Sequence, residues 1–173
     1  MKRIIALTLV IVVFVLSFSA CGESNYNVPL GMQIASDSDN VDYLLYVPEE
    51  WTVDMRTGVT TAYYSVNDPS NISVTMHPLK LANADAFFDN HIADLNAVFT
   101  DVSDIETANL ILDKESANQY VYTAKFNDIE YKFWQVICIR KARVYTITYS
   151  STTENYDAHT ADMQTALDLF CFI

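Results

Sequence analysis

Glycine is scarce in this chain, with three in 173 residues, and Gly22 and Gly31 both fall in its amino-terminal stretch. A backbone cradle for phosphate is hard to build from so few, and neither a P-loop nor a GxGxxG is present. There is no GxSxG elbow and no cysteine with a nearby partner histidine, so the usual frames for nucleophilic catalysis have no footing. No CxxC, HExxH, HxH or mixed Cys/His cluster occurs, which removes the ligand spacing of zinc and redox sites. His77, His91 and His159 therefore read as structural histidines. Basic residues are also few: 10 Lys and Arg stand against 22 Asp and Glu, for a formal charge of −12. That balance repels nucleic acid and the anionic membrane surface alike. It favours encounter with positive partners, and it is equally an ordinary route to solubility. There is no internal repeat or low-complexity tract. The expectation is a non-enzymatic protein with no catalytic residue, cofactor, metal or nucleic-acid partner.

The one long apolar run stands at the start. Lys2 and Arg3 precede residues 4–18, which are apolar except for Thr8 and Ser17, and the small Ser19 and Ala20 lead into Cys21. Charge, a short greasy core and a small-residue cleavage site make a secretory signal peptide. The core is shorter than the roughly 20 residues a membrane-spanning helix needs, so a retained span is the weaker reading. Phe18-Ser19-Ala20-Cys21 resembles a bacterial lipobox, with Phe18 where an aliphatic residue is usual. The resemblance implies lipidation of the Cys21 sulfur and cleavage just before it, with palmitate-type acyl chains; the alternative is an ordinary secreted protein cut near Ala20. Two acyl chains on one residue anchor stably where one is marginal. The organisation expected is a lipoprotein signal peptide over 1–20, a flexible tether over 21–31 and a single domain over 32–173. That places a monomer on the extracytoplasmic face of the cell membrane, held there by lipid on Cys21.

Beyond the tether the chain alternates in the manner of strands. Tyr43-Leu44-Leu45-Tyr46-Val47 is apolar throughout and ends at Pro48, as a strand covered on both faces would. Residues 60–65 and 72–76 read as two more, around the turn cluster Asn67-Asp68-Pro69-Ser70-Asn71. Over 82–99 the period lengthens to about 3.6, with Phe88, Ile92, Leu95 and Phe99 on one stripe, Asp85, Asp89 and Asp94 facing elsewhere, and Asn83 as cap. Residues 118–150 then carry three long antiparallel strands, turning at Asn127-Asp128, which suits a type I′ hairpin, and at Lys141-Ala142. Ser151-Thr152-Thr153-Glu154 fits a capping box. The helix after it puts Tyr156, His159, Met163, Leu167 and Phe170 on one stripe and ends near Leu169, leaving Cys171-Phe172-Ile173 as a short strand. Strands, helix, strands, helix is an α+β order with an antiparallel sheet. Cys138 and Cys171, each in an apolar run, read as buried free thiols, a disulfide between them being the alternative.

Two stretches resemble landmarks of the PsbP family, the extrinsic proteins of photosystem II and their bacterial relatives. Asp42-Tyr43-Leu44-Leu45-Tyr46-Val47-Pro48-Glu49-Glu50-Trp51 resembles that family's strand, proline and tryptophan opening. Asp68-Pro69-Ser70-Asn71-Ile72-Ser73-Val74 resembles its turn into an Asn-x-Ser-Val strand, and Leu169-Phe170-Cys171-Phe172 is similar to its close. The resemblance implies an α/β/α sandwich, with a central antiparallel sheet flanked by two amphipathic helices. It carries over no metal or docking residue and does not imply photosynthesis.

Two features remain. Asp37-Ser38-Asp39-Asn40-Val41-Asp42 offers the hard oxygen ligands calcium prefers but departs from the EF-hand pattern, so it reads as a solvated acidic turn, with calcium as the alternative. Aromatic residues crowd the strands, where cross-strand pairs stabilise a sheet. Trp134, opposite in parity to Phe133, points to a groove between sheet and helix. The function expected is protein binding or assembly by a lipid-anchored surface protein. The alternative is a carrier holding a small apolar or lipid ligand in that groove.

Overall fold

The computed structural model describes residues 26–36, 40–55, 60–81 and 83–173. The expected signal peptide, Cys21, the first part of the tether and Asp37, Ser38 and Asp39 lie outside the described residues. Three hairpins in succession organise the main sheet. β7 (Glu106–Leu112), β8 (Glu115–Phe126), β9 (Ile129–Arg140) and β10 (Arg143–Thr152) are joined by two-residue turns at Asp113-Lys114, Asn127-Asp128 and Lys141-Ala142. Both residues of every turn have positive φ, between 43° and 72°, the type I′ geometry whose twist matches that of the strands it joins. β6 (Asn71–Pro78) pairs with the free side of β10, followed by β5 (Thr60–Tyr63) and the short β4 (Thr52–Asp54). The result is one antiparallel sheet in the order β4-β5-β6-β10-β9-β8-β7.

Alternation along these strands builds two separate cores. Val136, Cys138, Tyr145, Ile147 and Tyr149 face α2 (Thr160–Leu169), meeting Met163, Ala166, Leu167 and Phe170. Tyr120, Tyr122, Ile137 and Val144 face the other way, toward Phe88 of α1 (Ala84–Leu95). One helix therefore lies on each face of the sheet, an α+β fold in α/β/α layers. Among the described residues no helix is long and apolar enough to cross a membrane.

The stretch 43–48 is buried throughout, as its lack of polar residues implies, but it is not one strand. β2 (Tyr43–Leu44) pairs with β11 (Cys171–Phe172), whereas β3 (Tyr46–Pro48) pairs with β1 (Met32–Ile34). Leu45 sits between them, its N–H donating to Ser36 Oγ and its carbonyl accepting from Ala35. Two small sheets thus share one apolar segment, both beside α2 rather than in the main sheet.

Asn83 caps α1 as expected, its Oδ1 accepting from the Ala86 N–H at 2.8 Å. The helix is shorter than the 82–99 pattern because the chain leaves at Asn96 and pairs Thr100 with Lys125. The capping box at 151–154 does not form. Ser151 and Thr152 continue β10 against Lys132 and Tyr131, and the Thr153 N–H donates to the Glu130 carbonyl. The long β9–β10 ladder outcompetes the cap, and a 3-10 turn (Tyr156–His159) opens α2 without a side-chain cap. Cys138 and Cys171 are free thiols, the first buried and the second partly exposed.

Candidate functional site

Two cavities flank β7, one on each face of the sheet. The first, of about 500 Å³, lies between the sheet and α2, where Leu110, Ile111 and Trp134 meet Leu167 and Phe170. This is the sheet-helix groove that strand parity at Trp134 implied, and Phe133 does pack on the opposite face. The Trp134 Nε1–H is shut off from solvent and has no acceptor among the described residues. An indole N–H left in that state costs about 1–3 kcal/mol, so the Trp134 side chain in the groove wall keeps a buried donor unpaired. Gln119, Gln164 and Asp168 add a polar margin, with Gln164 donating to Asp168 Oδ1 at 2.9 Å.

The second cavity, of about 440 Å³, lies between the start of α1 and β7, with Asp85 and Asp89 above and Thr107 and Asn109 along the strand. Asp85 occupies the first turn of α1, where a carboxylate suits the positive end of the helix dipole. The sheet reaches up to it: the Tyr120 hydroxyl donates to its Oδ1 at 2.5 Å and the Asn118 amide donates to the same atom at 2.8 Å. Burial, and then the hydrogen bond to Asp85, push the Tyr120 hydroxyl well above its ordinary value, so it remains a donor. Phe88 stacks on the Tyr120 ring at 3.7 Å and closes the floor. Sequence periodicity put Asp85 and Asp89 off the apolar stripe but could not show that Tyr120, 35 residues later, anchors the first of them.

Several other titratable groups are tied into the fold. His159 is buried with Nε2 3.1 Å from Asp68 Oδ2 and Nδ1 3.1 Å from Asp162 Oδ2. Asp162 Oδ2 also accepts from Trp51 Nε1, and the Tyr64 ring lies 4.0 Å from the imidazole. The Ser70 hydroxyl donates to Asp68 Oδ1 at 2.6 Å and lies 2.7 Å from the Ser151 hydroxyl. Partial burial would lift the Asp68 carboxyl, but the Ser70 hydrogen bonds and His159 hold it below its ordinary value. His91 lies 3.4 Å from the Gln135 amide nitrogen, and burial lowers its imidazole, with Asp94 opposing. His77 packs beside Phe87. In the acidic 37–42 stretch, Asp42 accepts from the Tyr145 hydroxyl at 2.9 and 3.0 Å and lies 3.5 Å from Arg143, so its carboxylate faces the sheet. Among the described residues no three His, Cys, Asp or Glu side chains converge on a possible metal position. Cys21, the one site residue expected from sequence, lies outside the described residues.

No protein-family model matches the sequence, and no curated protein matches it. Solved structures do match. The cyanobacterial PsbP (CyanoP) of Synechocystis sp. PCC 6803 superposes with a TM-score of 0.61 at 15% identity, over 90% of this chain and 99% of its own. LpqN of Mycobacterium tuberculosis, described as involved in cell envelope biogenesis, gives 0.51 at 12% identity over 87% and 86% of the two chains. The Saccharomyces cerevisiae Ran-binding protein Mog1p gives 0.54 at 9% identity over 82% and 96%. At such identities the likeness is one of architecture, and it establishes that this chain has the PsbP-like fold.

Proposed function

We propose that this chain is an exported, non-enzymatic accessory protein, tethered through lipid on Cys21 to the extracytoplasmic face of the cell membrane, and that it works as a monomer by binding or assembling with another protein. Residues 32–173 form its single domain and 21–31 its tether. The observation that carries the reading is how the side chains capable of acid-base or nucleophilic work are deployed. His159, Asp68, Asp162, Ser70 and Ser151 form one hydrogen-bonded network joining the 65–70 turn, β10 and α2, with His159, Ser70 and Ser151 buried and the two carboxylates partly exposed. The imidazole and both hydroxyls of this network are taken up by partners within the fold, which supports a binding role over a catalytic one. The neighbours add support: one is described by its part in cell envelope biogenesis and another as a Ran-binding protein.

Mass analysis of the isolated full chain tests the anchor. A species beginning at Cys21 and carrying acyl mass supports it, with Cys21→Ala releasing the protein or leaving the precursor. An intact Met1 without added acyl mass overturns it. Cross-linking at the membrane of intact cells tests the partner, and capture of no protein at all would sink the binding role.

The cavity of about 500 Å³, walled by Leu110, Trp134, Leu167 and Phe170, favours a second reading, a carrier for a small apolar or lipid ligand between sheet and α2. A co-purified ligand in native mass spectrometry supports the carrier, and a clean apo mass counts against it.

A further inference from the structure

β7 is the last strand of the main sheet, and among the described residues nothing pairs with its outer edge. Every second residue of such a strand turns its N–H and C=O outward, which makes the edge a template for another chain. The opposite edge, β4, is blunted by its length of three residues. β7 has no such protection. It runs for seven residues without proline, Glu106 is its single charge, and Ile111 is 67% exposed.

The cavities on its two faces differ in chemistry. Side chains of an added strand would alternate between those faces, one set passing over Thr107 and Asn109 toward Asp85 and Asp89, the other toward Leu110, Trp134 and Leu167. Asp85 is fixed by two neutral donors, both on Oδ1, and among the described residues no Lys or Arg pairs with Asp85 or Asp89. A carboxylate held in place without a counter-ion favours an incoming cation. With strands about 4.8 Å apart, an added one lies about 10 Å from β8, within reach of an extended Lys or Arg side chain. A second copy of this chain would instead bring its own charge of −12 against the same acidic edge.

Resting on the protein-binding reading above, we infer that β7 is the docking edge for an extended segment of a partner protein, added as an eighth strand with basic side chains toward α1 and apolar side chains toward α2. Main-chain hydrogen bonds supply the affinity, and the two cavities supply the choice of sequence.

A synthetic nine-residue peptide of alternating lysine and leucine, blocked at both ends, is the probe. It is titrated into the full chain held in non-ionic detergent and followed by fluorescence anisotropy. Binding in the micromolar range is expected, at least ten-fold weaker when alternate amides of the peptide are N-methylated. Asp85→Asn with Asp89→Asn should weaken it about ten-fold and flatten its salt dependence, with the thermal midpoint as the folding control. Hydrogen exchange on the unaltered protein provides a check that needs no variant: amides of β7 should gain protection on binding. Equal binding of the N-methylated peptide, protection elsewhere than β7, no binding at millimolar peptide, or a dimer joined through β7 would each overturn the inference. Cross-linking to a partner through a different surface would overturn this site while leaving the protein-binding reading intact.

Discussion

His159 Nε2 lies 3.1 Å from Oδ2 of Asp68, a residue 91 positions earlier, and this contact joins the 65–70 turn to the start of α2. Because Asp68 also accepts from Ser70, replacing it unsettles several buried groups at once. Asp68→Asn should cost about 1–3 kcal/mol of unfolding free energy, the range for leaving a buried polar partner unsatisfied. The Asp68 carboxyl sits below its ordinary value of 3.8 in the fold, so its contribution is complete above that pH. It is lost as pH falls through the lower folded value. Urea denaturation from pH 7 to pH 2 should show a shallower acid limb in the variant.

His91 shifts in the same direction with a different consequence. Burial lowers its imidazole from 6.5, so below that pH the unfolded chain takes up a proton that the folded chain resists. The stability tied to neutral His91 is fully present above 6.5 and fades as pH drops toward the lower folded value. Denaturation midpoints at pH 7.5 and pH 5.5 should differ less in His91→Gln than in the parent protein.

Some of this fold is legible in the residues because local chemistry dictates it. Asn127-Asp128 and Lys141-Ala142 stand between alternating strands, and strand parity places Trp134 and Phe133 on opposite faces. β7 is not legible in the same way. Its Glu106, Thr107 and Asn109 lie at an exposed edge, where burial does not require apolar alternation, so only Leu110-Ile111-Leu112 before Asp113-Lys114 hints at a strand. The second cavity depends on Tyr120 meeting Asp85 and on Phe88 stacking over it, contacts that exist only once the sheet and α1 have packed. Ser151 failed as a helix cap for a related reason: ladder pairing to Lys132 extends through it.

Glycine scarcity leaves a trace in the hairpins. Ala142 has φ 60° with no glycine to take the position, a conformation that costs an L-residue about 1–2 kcal/mol. Glycine relieves that strain but loses more chain entropy on folding, so Ala142→Gly should stabilise by about 0.5–1 kcal/mol. The denaturant midpoint should rise with an unchanged slope. Ala117→Gly, at a buried position near the start of β8, should lower it instead.

The two thiols of the described chain should separate by reactivity. Burial pushes Cys138 up to about 11, and it raises Cys171 as well, but Cys171 is partly exposed at the end of the chain. Thiolate and access together set alkylation rates, so iodoacetamide at pH 8 should modify Cys171 first and Cys138 only after denaturant is added. Peptide mapping by mass spectrometry reads the order. Recovery of a peptide cross-linked through both residues would contradict two free thiols.

Trp51 and Trp134 are the only tryptophans, and their indole N–H groups meet opposite fates. Trp51 Nε1 donates to Asp162 at 3.1 Å, whereas Trp134 Nε1 is buried with no acceptor among the described residues. Trp→Phe at either position removes roughly 1 kcal/mol of apolar burial, at about 25 cal/mol per Å². At Trp51 the change also strips Asp162 of a donor, so the two losses add, and the variant should be destabilised by about 2–4 kcal/mol. At Trp134 it removes a buried donor that has no partner, which returns about 1–3 kcal/mol and cancels the lost burial or exceeds it. Trp134→Phe should therefore unfold within about 1 kcal/mol of the parent protein, or later than it. A large loss there would mean that the Trp134 N–H has an acceptor in solution, and isotope-edited NMR of the indole proton would then identify it.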